Sequence, residues 1–152
     1  MGIRHTIKLD YDDKFFPCVA LATRLNMAAD KLDFFVGSIR VMESKKGFHV
    51  YITVKGELSD MELCFIQLLL LSDWKRELLN ARRTKHGRPM TKGNKLFQYK
   101  YKTVIQDGKV INSKLKSKEV HTAKAEVYEK AVMEIFQYLL SCKNEDSESG
   151  HS

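Results

Sequence analysis

Proline is scarce in this 152-residue chain, with only Pro17 and Pro89, so a proline-rich linker or recognition segment is excluded. Cysteine is scarce too. Cys18, Cys64 and Cys142 are odd in number and far apart, which excludes a disulfide framework and a Cys-x-x-Cys metal knuckle. A reduced, intracellular setting is the expectation. The apolar run Leu68 to Leu71 is far too short for a membrane span, and Met1 to His5 lack the pattern of a signal peptide. The expected location is therefore cytoplasmic, with no membrane partner. No P-loop and no Gly-x-Gly-x-x-Gly is present, so the two commonest phosphate-cradling loops are absent.

What is present is ordinary globular material with a basic surplus. Hydrophobic residues make up 43% and charged residues 30%, and 26 Lys+Arg stand against 19 Asp+Glu for a net charge of +7. The length suits one domain, expected over residues 1–143, with a polar disordered tail at 144–152. A positive surplus favours an anionic partner, of which nucleic acid is the commonest.

Periodicity supplies the elements. Ile3, Ile7, Leu9 and Tyr11 alternate with Arg4, Thr6, Lys8, Asp10 and Asp12, a half-buried strand. Leu21, Leu25, Ala28 and Leu32 recur at helical spacing within 15–32. Ser38–Glu43 and Phe48–Val54 read as strands joined by a tight turn at Lys45-Lys46-Gly47. Ser59 and Glu62 form a capping box, so one helix is expected over about 60–83. Residues 84–94 read as a basic loop, 95–105 as a fourth strand, Asp107-Gly108 as a hairpin turn into a short strand at 109–113, and 121–141 as an amphipathic helix. The order β-α-β-β-α-β, followed by a hairpin strand and a C-terminal helix, predicts an α+β fold. It is the ferredoxin/RRM-like split βαβ sandwich, with the first strand antiparallel to the third.

That topology brings chemistry together. Asp10 and Asp12 end the first strand and His49 begins the third, so an antiparallel pairing sets them about 5 Å apart on the face away from the helices. Two carboxylates at i and i+2 suit Mg²⁺ or Mn²⁺. Lys45, Lys46 and His49 are then within reach of nucleotide phosphates. Each of these residues alone is more often a solvated surface group.

Leu9-Asp10-Tyr11-Asp12, then a helix, then Ser44-Lys45-Lys46-Gly47-Phe48-His49 resembles the archaeo-eukaryotic primase superfamily. In particular it looks like small proteins of archaeal viruses, plasmids and phages, which share the Gly-x-His strand and a following helix that ends in a segment like Ser72-Asp73-Trp74-Lys75-Arg76. The resemblance implies an RRM-like core. It also implies metal-binding roles for Asp10 and Asp12, and nucleotide contacts for Ser44, Lys45, Lys46 and His49. Asp10, Asp12 and His49 would then be catalytic in metal-dependent nucleotidyl transfer. Lys45 stands where the family usually has glycine, and Asp73 is a candidate third acid by order only. A non-catalytic RRM-like nucleic-acid-binding protein and a small metal-dependent nuclease are the alternatives.

Charge density marks a second region. Between Lys75 and Lys102 lie ten Lys/Arg and one acid, Glu77. Arg76, Arg82, Arg83, Lys85 and Arg88 are the candidate contacts to DNA or RNA phosphates. Phe97, Tyr99 and Tyr101 read as the buried face of the fourth strand in preference to base-stacking platforms.

Overall fold

The computed structural model describes residues 2–12, 14–44, 46–90, 99–116 and 122–149. The chain runs β1 (Arg4–Tyr11), α1 (Cys18–Leu32), β2 (Phe35–Glu43), β3 (Phe48–Lys55), α2 (Asp60–Leu69), α3 (Trp74–Lys85), β4 (Tyr99–Gln106), β5 (Lys109–Lys116) and α4 (Ala123–Ser149). It is an α+β fold built on a three-stranded antiparallel sheet of order β1-β3-β2.

Strand alternation builds the core. Ile7, Leu9 and Tyr11 of β1, Ile39 and Val41 of β2, and Phe48, Val50, Ile52 and Val54 of β3 are all buried. Against that face lie Leu21, Leu25 and Ala28 of α1, and Ala125, Val132 and Phe136 of α4, in one continuous hydrophobic cluster. Leu63, Ile66 and Leu70 join it from α2 and its end. Removing a side chain such as the fully buried Phe48 costs about 3–5 kcal/mol in such a core. Phe16 anchors the segment before α1. It stacks on Tyr128 at 4.5 Å and meets Tyr11 and Phe48 edge-on.

The expected antiparallel pairing of the first and third strands is present. Asp10 lies opposite His49, and Leu9 opposite Val50. β2 begins at Phe35, earlier than the predicted Ser38, and its register slips between Val36 and Ser38, around Gly37. A glycine within a strand commonly marks such a bulge.

Three features differ from expectation. The single helix predicted over 60–83 is two helices, broken where Leu71 takes a left-handed φ of 65°. The break is held from outside the helix. The Tyr11 hydroxyl donates to the Leu70 carbonyl at 2.6 Å, and Arg24 donates to the Leu69 carbonyl at 3.1 Å. These bonds satisfy carbonyls that continued helix would otherwise use. Second, among the described residues β4 pairs with β5 as a separate two-stranded sheet and not with β1, so the four strands of the split βαβ sheet are not seen together there. Third, α4 continues to Ser149, into the segment expected to be a polar tail.

Candidate functional site

β1 is an edge strand, and its outward backbone groups need partners. They find them at the α2–α3 junction. The Lys8 N–H donates to the Gln67 Oε1 at 3.0 Å, and the Asp10 N–H donates to the Ser72 Oγ at 3.0 Å. The Arg76 guanidinium donates to the Lys8 carbonyl at 3.0 Å, and the Asp73 N–H donates to the Asp10 carbonyl at 2.8 Å. Donors and acceptors alternate along Lys8 and Asp10 as they would opposite a neighbouring strand. The junction therefore takes the ladder position that a fourth strand would hold.

Behind it lies a buried polar cluster centred on Glu77, which is 2% exposed. Gln67 donates to its Oε2 at 2.7 Å and Ser72 to its Oε1 at 3.0 Å, and Arg76 pairs with the same carboxylate. Each member is satisfied, so the cluster fixes where the junction sits against β1.

That placement sets the surroundings of Asp10. On one side His49, only 7% exposed, brings its Nε2 to 3.5 Å from the Asp10 Oδ1. On the other side opens a cleft of about 300 Å³ lined by Asp10, Asp12, Asp73, Phe15, Pro17 and Leu71, with Tyr11. Desolvation raises the pKa of Asp10 above its ordinary value. Its neighbours His49 and Arg76 pull it down, while Asp73 and Asp12 push it up. Leu71 holds its left-handed backbone on the rim of this cleft. That conformation costs a non-glycine residue about 1–2 kcal/mol.

The predicted residues divide as follows. Asp10 and His49 meet across the strand pair, and Asp12, exposed beyond the end of β1, shares the cleft with Asp10. His49 does not line the cleft itself. Asp73, a candidate by chain order alone, lines it too, and its carboxylate also caps α3 by accepting from the Lys75 N–H at 3.2 Å. The Ser44 hydroxyl is engaged inside its own turn, accepting from the Gly47 N–H at 3.1 Å. Lys46 is exposed, and Lys45 lies outside the described residues. Arg82, Arg83, Lys85 and Arg88 are exposed at and beyond the end of α3. Arg76 is a correction: it is 6% exposed and bound to the Lys8 carbonyl and to Glu77, so it braces the β1 edge and is not a surface phosphate contact. Phe97 lies outside the described residues.

Sequence reasoning missed Gln67, Ser72 and Glu77. One signal was available: Gln67 falls at the buried helical spacing of Leu63 and Leu70, where a polar side chain needs a buried partner.

The donor set of the cleft, carboxylates alone, is of the type that hard divalent cations take. Burial of Asp10, with Asp73 and Asp12 beside it, disfavours its ionised form, and a cation at the cleft would favour it. Among the described residues, however, no group of three or more His, Cys, Asp or Glu is arranged to hold a metal ion. Also among them, no helix is long and apolar enough to cross a membrane.

Fold and site together define an α+β domain whose sheet edge is sealed by a helical junction beside an acidic cleft. Compared with known proteins, the chain matches no family model, no curated protein and no solved structure.

Proposed function

We propose that this domain binds nucleotide and nucleic-acid phosphates at the β1–β3 end of its sheet, in the manner of a primase-polymerase-like RRM core of a mobile element. The observation that carries the reading is the contact of Asp10 with His49 across the strand pair, with Asp12 and Asp73 around the adjoining cleft. In this reading the α2–α3 junction substitutes for the fourth strand of the RRM-like sheet.

An acidic cleft repels phosphate, so a triphosphate needs a divalent cation between them. Asp10 and Asp12 would hold Mg²⁺ or Mn²⁺, with Asp73 the third candidate. The bound cation supplies neutralisation of phosphate charge. His49, buried and outside the cleft, would orient the Asp10 carboxylate in place of the phosphate contact expected of it, and exposed Lys46, nearby in sequence on the β2–β3 turn, would be the phosphate contact. Arg82, Arg83, Lys85 and Arg88 add sequence-independent attraction for DNA or RNA. A second reading, binding without catalysis, is favoured by two observations: Asp73 is already committed to capping α3, and the acids do not converge on one point.

Calorimetry of Mn²⁺ and a nucleoside triphosphate, beside template-dependent incorporation, tests the proposal. Nucleotide binding should require the metal and be lost in Asp10→Ala and Asp12→Ala. In His49→Ala metal affinity and nucleotide affinity should fall together, because His49 acts through Asp10. Metal-dependent binding without incorporation under either metal selects the non-catalytic reading. Cleavage of nucleic acid without incorporation marks a nuclease. Absence of metal-dependent nucleotide binding in the wild type overturns the site.

A further inference from the structure

Among the described residues β4 and β5 pair only with each other, from Tyr99↔Lys116 at the open end to Gln106↔Lys109 at the turn. Asp107 and Gly108 both have positive φ, 52° and 73°. This is the two-residue turn whose twist matches a long antiparallel ribbon. No helix or strand packs broadly against this ribbon among the described residues. Near its turn Ile105 is 75% exposed, and Gln106 and Lys109 are exposed as well. An isolated hairpin is marginal in water, so a ribbon this long calls for a surface to lie against.

Its charge says which kind. Residues 99–116 carry Lys100, Lys102, Lys109, Lys114 and Lys116 against a single acid, Asp107. The register divides them between the two faces. Positions 100, 102 and 109 fall on one face, and 114 and 116 on the other. The second face also carries the cross-strand pair Thr103↔Asn112. Lysines on both faces suit a groove with phosphates along both walls, better than they suit a flat protein surface.

We propose that the β4–β5 hairpin is a DNA-binding ribbon that lies in the major groove of duplex DNA. The B-form major groove, about 12 Å wide, admits a two-stranded ribbon, whereas the deep, narrow major groove of duplex RNA does not. Asn112 and Thr103 are of the type that hydrogen-bonds base edges, and the lysines neutralise phosphates. The proposal deepens the nucleic-acid reading above by naming the surface that meets the duplex. It rests on residues separate from the acidic cleft, so the two can fail independently.

The test is fluorescence anisotropy with labelled duplex DNA, single-stranded DNA of the same sequence and duplex RNA, each over a salt series. Dimethyl sulfate protection of guanine N7 in the duplex is read alongside. Duplex DNA should bind tightest, with N7 protected. Lys102→Gln with Lys114→Gln should weaken duplex binding about tenfold at moderate salt and lower the salt slope by about two, one for each phosphate that is no longer neutralised. The paired Lys→Arg variants should bind as the wild type does, which separates the removal of charge from damage to the hairpin. Metal-dependent nucleotide binding by the Lys→Gln protein, measured by calorimetry, reports on the cleft separately and should equal that of the wild type. Unchanged affinity and slope in the Lys→Gln protein overturns the ribbon assignment. So does binding of single strands or duplex RNA as tight as that of duplex DNA, or unprotected N7.

Discussion

The two edges of the three-stranded sheet are closed by different means. At the β1 edge, both backbone groups of Lys8 and both of Asp10 are bonded to the α2–α3 junction, backed by buried Glu77 and Arg76. At the β2 edge, one carboxylate oxygen of Glu129 on α4 accepts from the Val41 N–H at 2.8 Å, and Glu43 accepts from the Thr122 hydroxyl at 3.0 Å. The direct bonds at both edges are part-buried, but those at the first run into an interlocked, buried network around Glu77, whereas those at the second are separate polar contacts. A sheet edge needs only its hydrogen bonds satisfied to resist pairing with another chain. The excess order at β1 therefore calls for another explanation, and the acidic cleft beside it supplies one. Asp10 is bonded through both its N–H and its carbonyl, so its side chain leaves the strand in a fixed direction.

Breaking the network at its centre should have the largest effect. Glu77→Ala leaves the Arg76 guanidinium buried without its carboxylate, a loss that typically costs about 3–5 kcal/mol. Urea unfolding should read that loss. A cost below about 1 kcal/mol, the range of an exposed ion pair, would show that solvent reaches the pair and that the β1 edge is no more ordered than the other.

Ser72→Ala removes the acceptor for the Asp10 N–H and a donor to Glu77, two buried or part-buried partners, and should cost about 1–3 kcal/mol. Glu129→Ala at the other edge removes the acceptor for one part-buried N–H and should cost about 1 kcal/mol. Equal losses in thermal melts would erase the distinction between the edges. Ser72→Ala should also weaken metal-dependent nucleotide binding, because it frees the backbone of Asp10, whereas Glu129→Ala should not.

The sequence made β1 and β3 legible because each buries one face and so follows period two without interruption: Ile7, Leu9 and Tyr11 against Phe48, Val50, Ile52 and Val54. With the split βαβ order, which set the first and third strands antiparallel, that pattern put Asp10 beside His49. The break at residues 70–73 was not legible in the periodicity, although the resemblance placed a helix end at the Ser72–Arg76 segment. No glycine or proline marks it; its causes are Tyr11 and Arg24, about 60 and 45 residues earlier in the chain, reaching the carbonyls of Leu70 and Leu69. Local pattern carries no record of such contacts. The same holds for β4. Its alternation and the Asp107-Gly108 turn identified the strand and its hairpin partner β5, but not that the place beside β1 was taken by side chains of Gln67, Ser72 and Arg76 that no strand pattern describes. Arg76 reads as one more cation in a basic stretch until its burial is known.

The smallest effect expected concerns Asp10 itself and runs in the opposite direction. Desolvation, with Asp73 and Asp12 close by, holds its pKa above the ordinary value, despite the opposing pull of His49 and Arg76. The folded chain therefore binds the Asp10 proton more tightly than the unfolded chain does. The stability this contributes is fully present below the ordinary carboxyl pKa, about 4, and is lost as pH rises through the elevated folded value. At neutral pH the ionised Asp10 opposes folding. Asp10→Asn should consequently raise the melting temperature at pH 7, and its advantage over the wild type should shrink as the pH is lowered towards 4. The same substitution should abolish stabilisation by Mn²⁺, since a cation in the cleft would offset the repulsion that the amide removes. Melts across pH 4–8, with and without Mn²⁺, read both effects. An Asp10→Asn protein less stable than the wild type at pH 7 would mean that the His49 and Arg76 contacts outweigh the burial of the carboxylate. In that case Asp10 would be a brace of the sealed edge like Arg76, and the contrast between an ordered edge and a strained acid beside it would vanish.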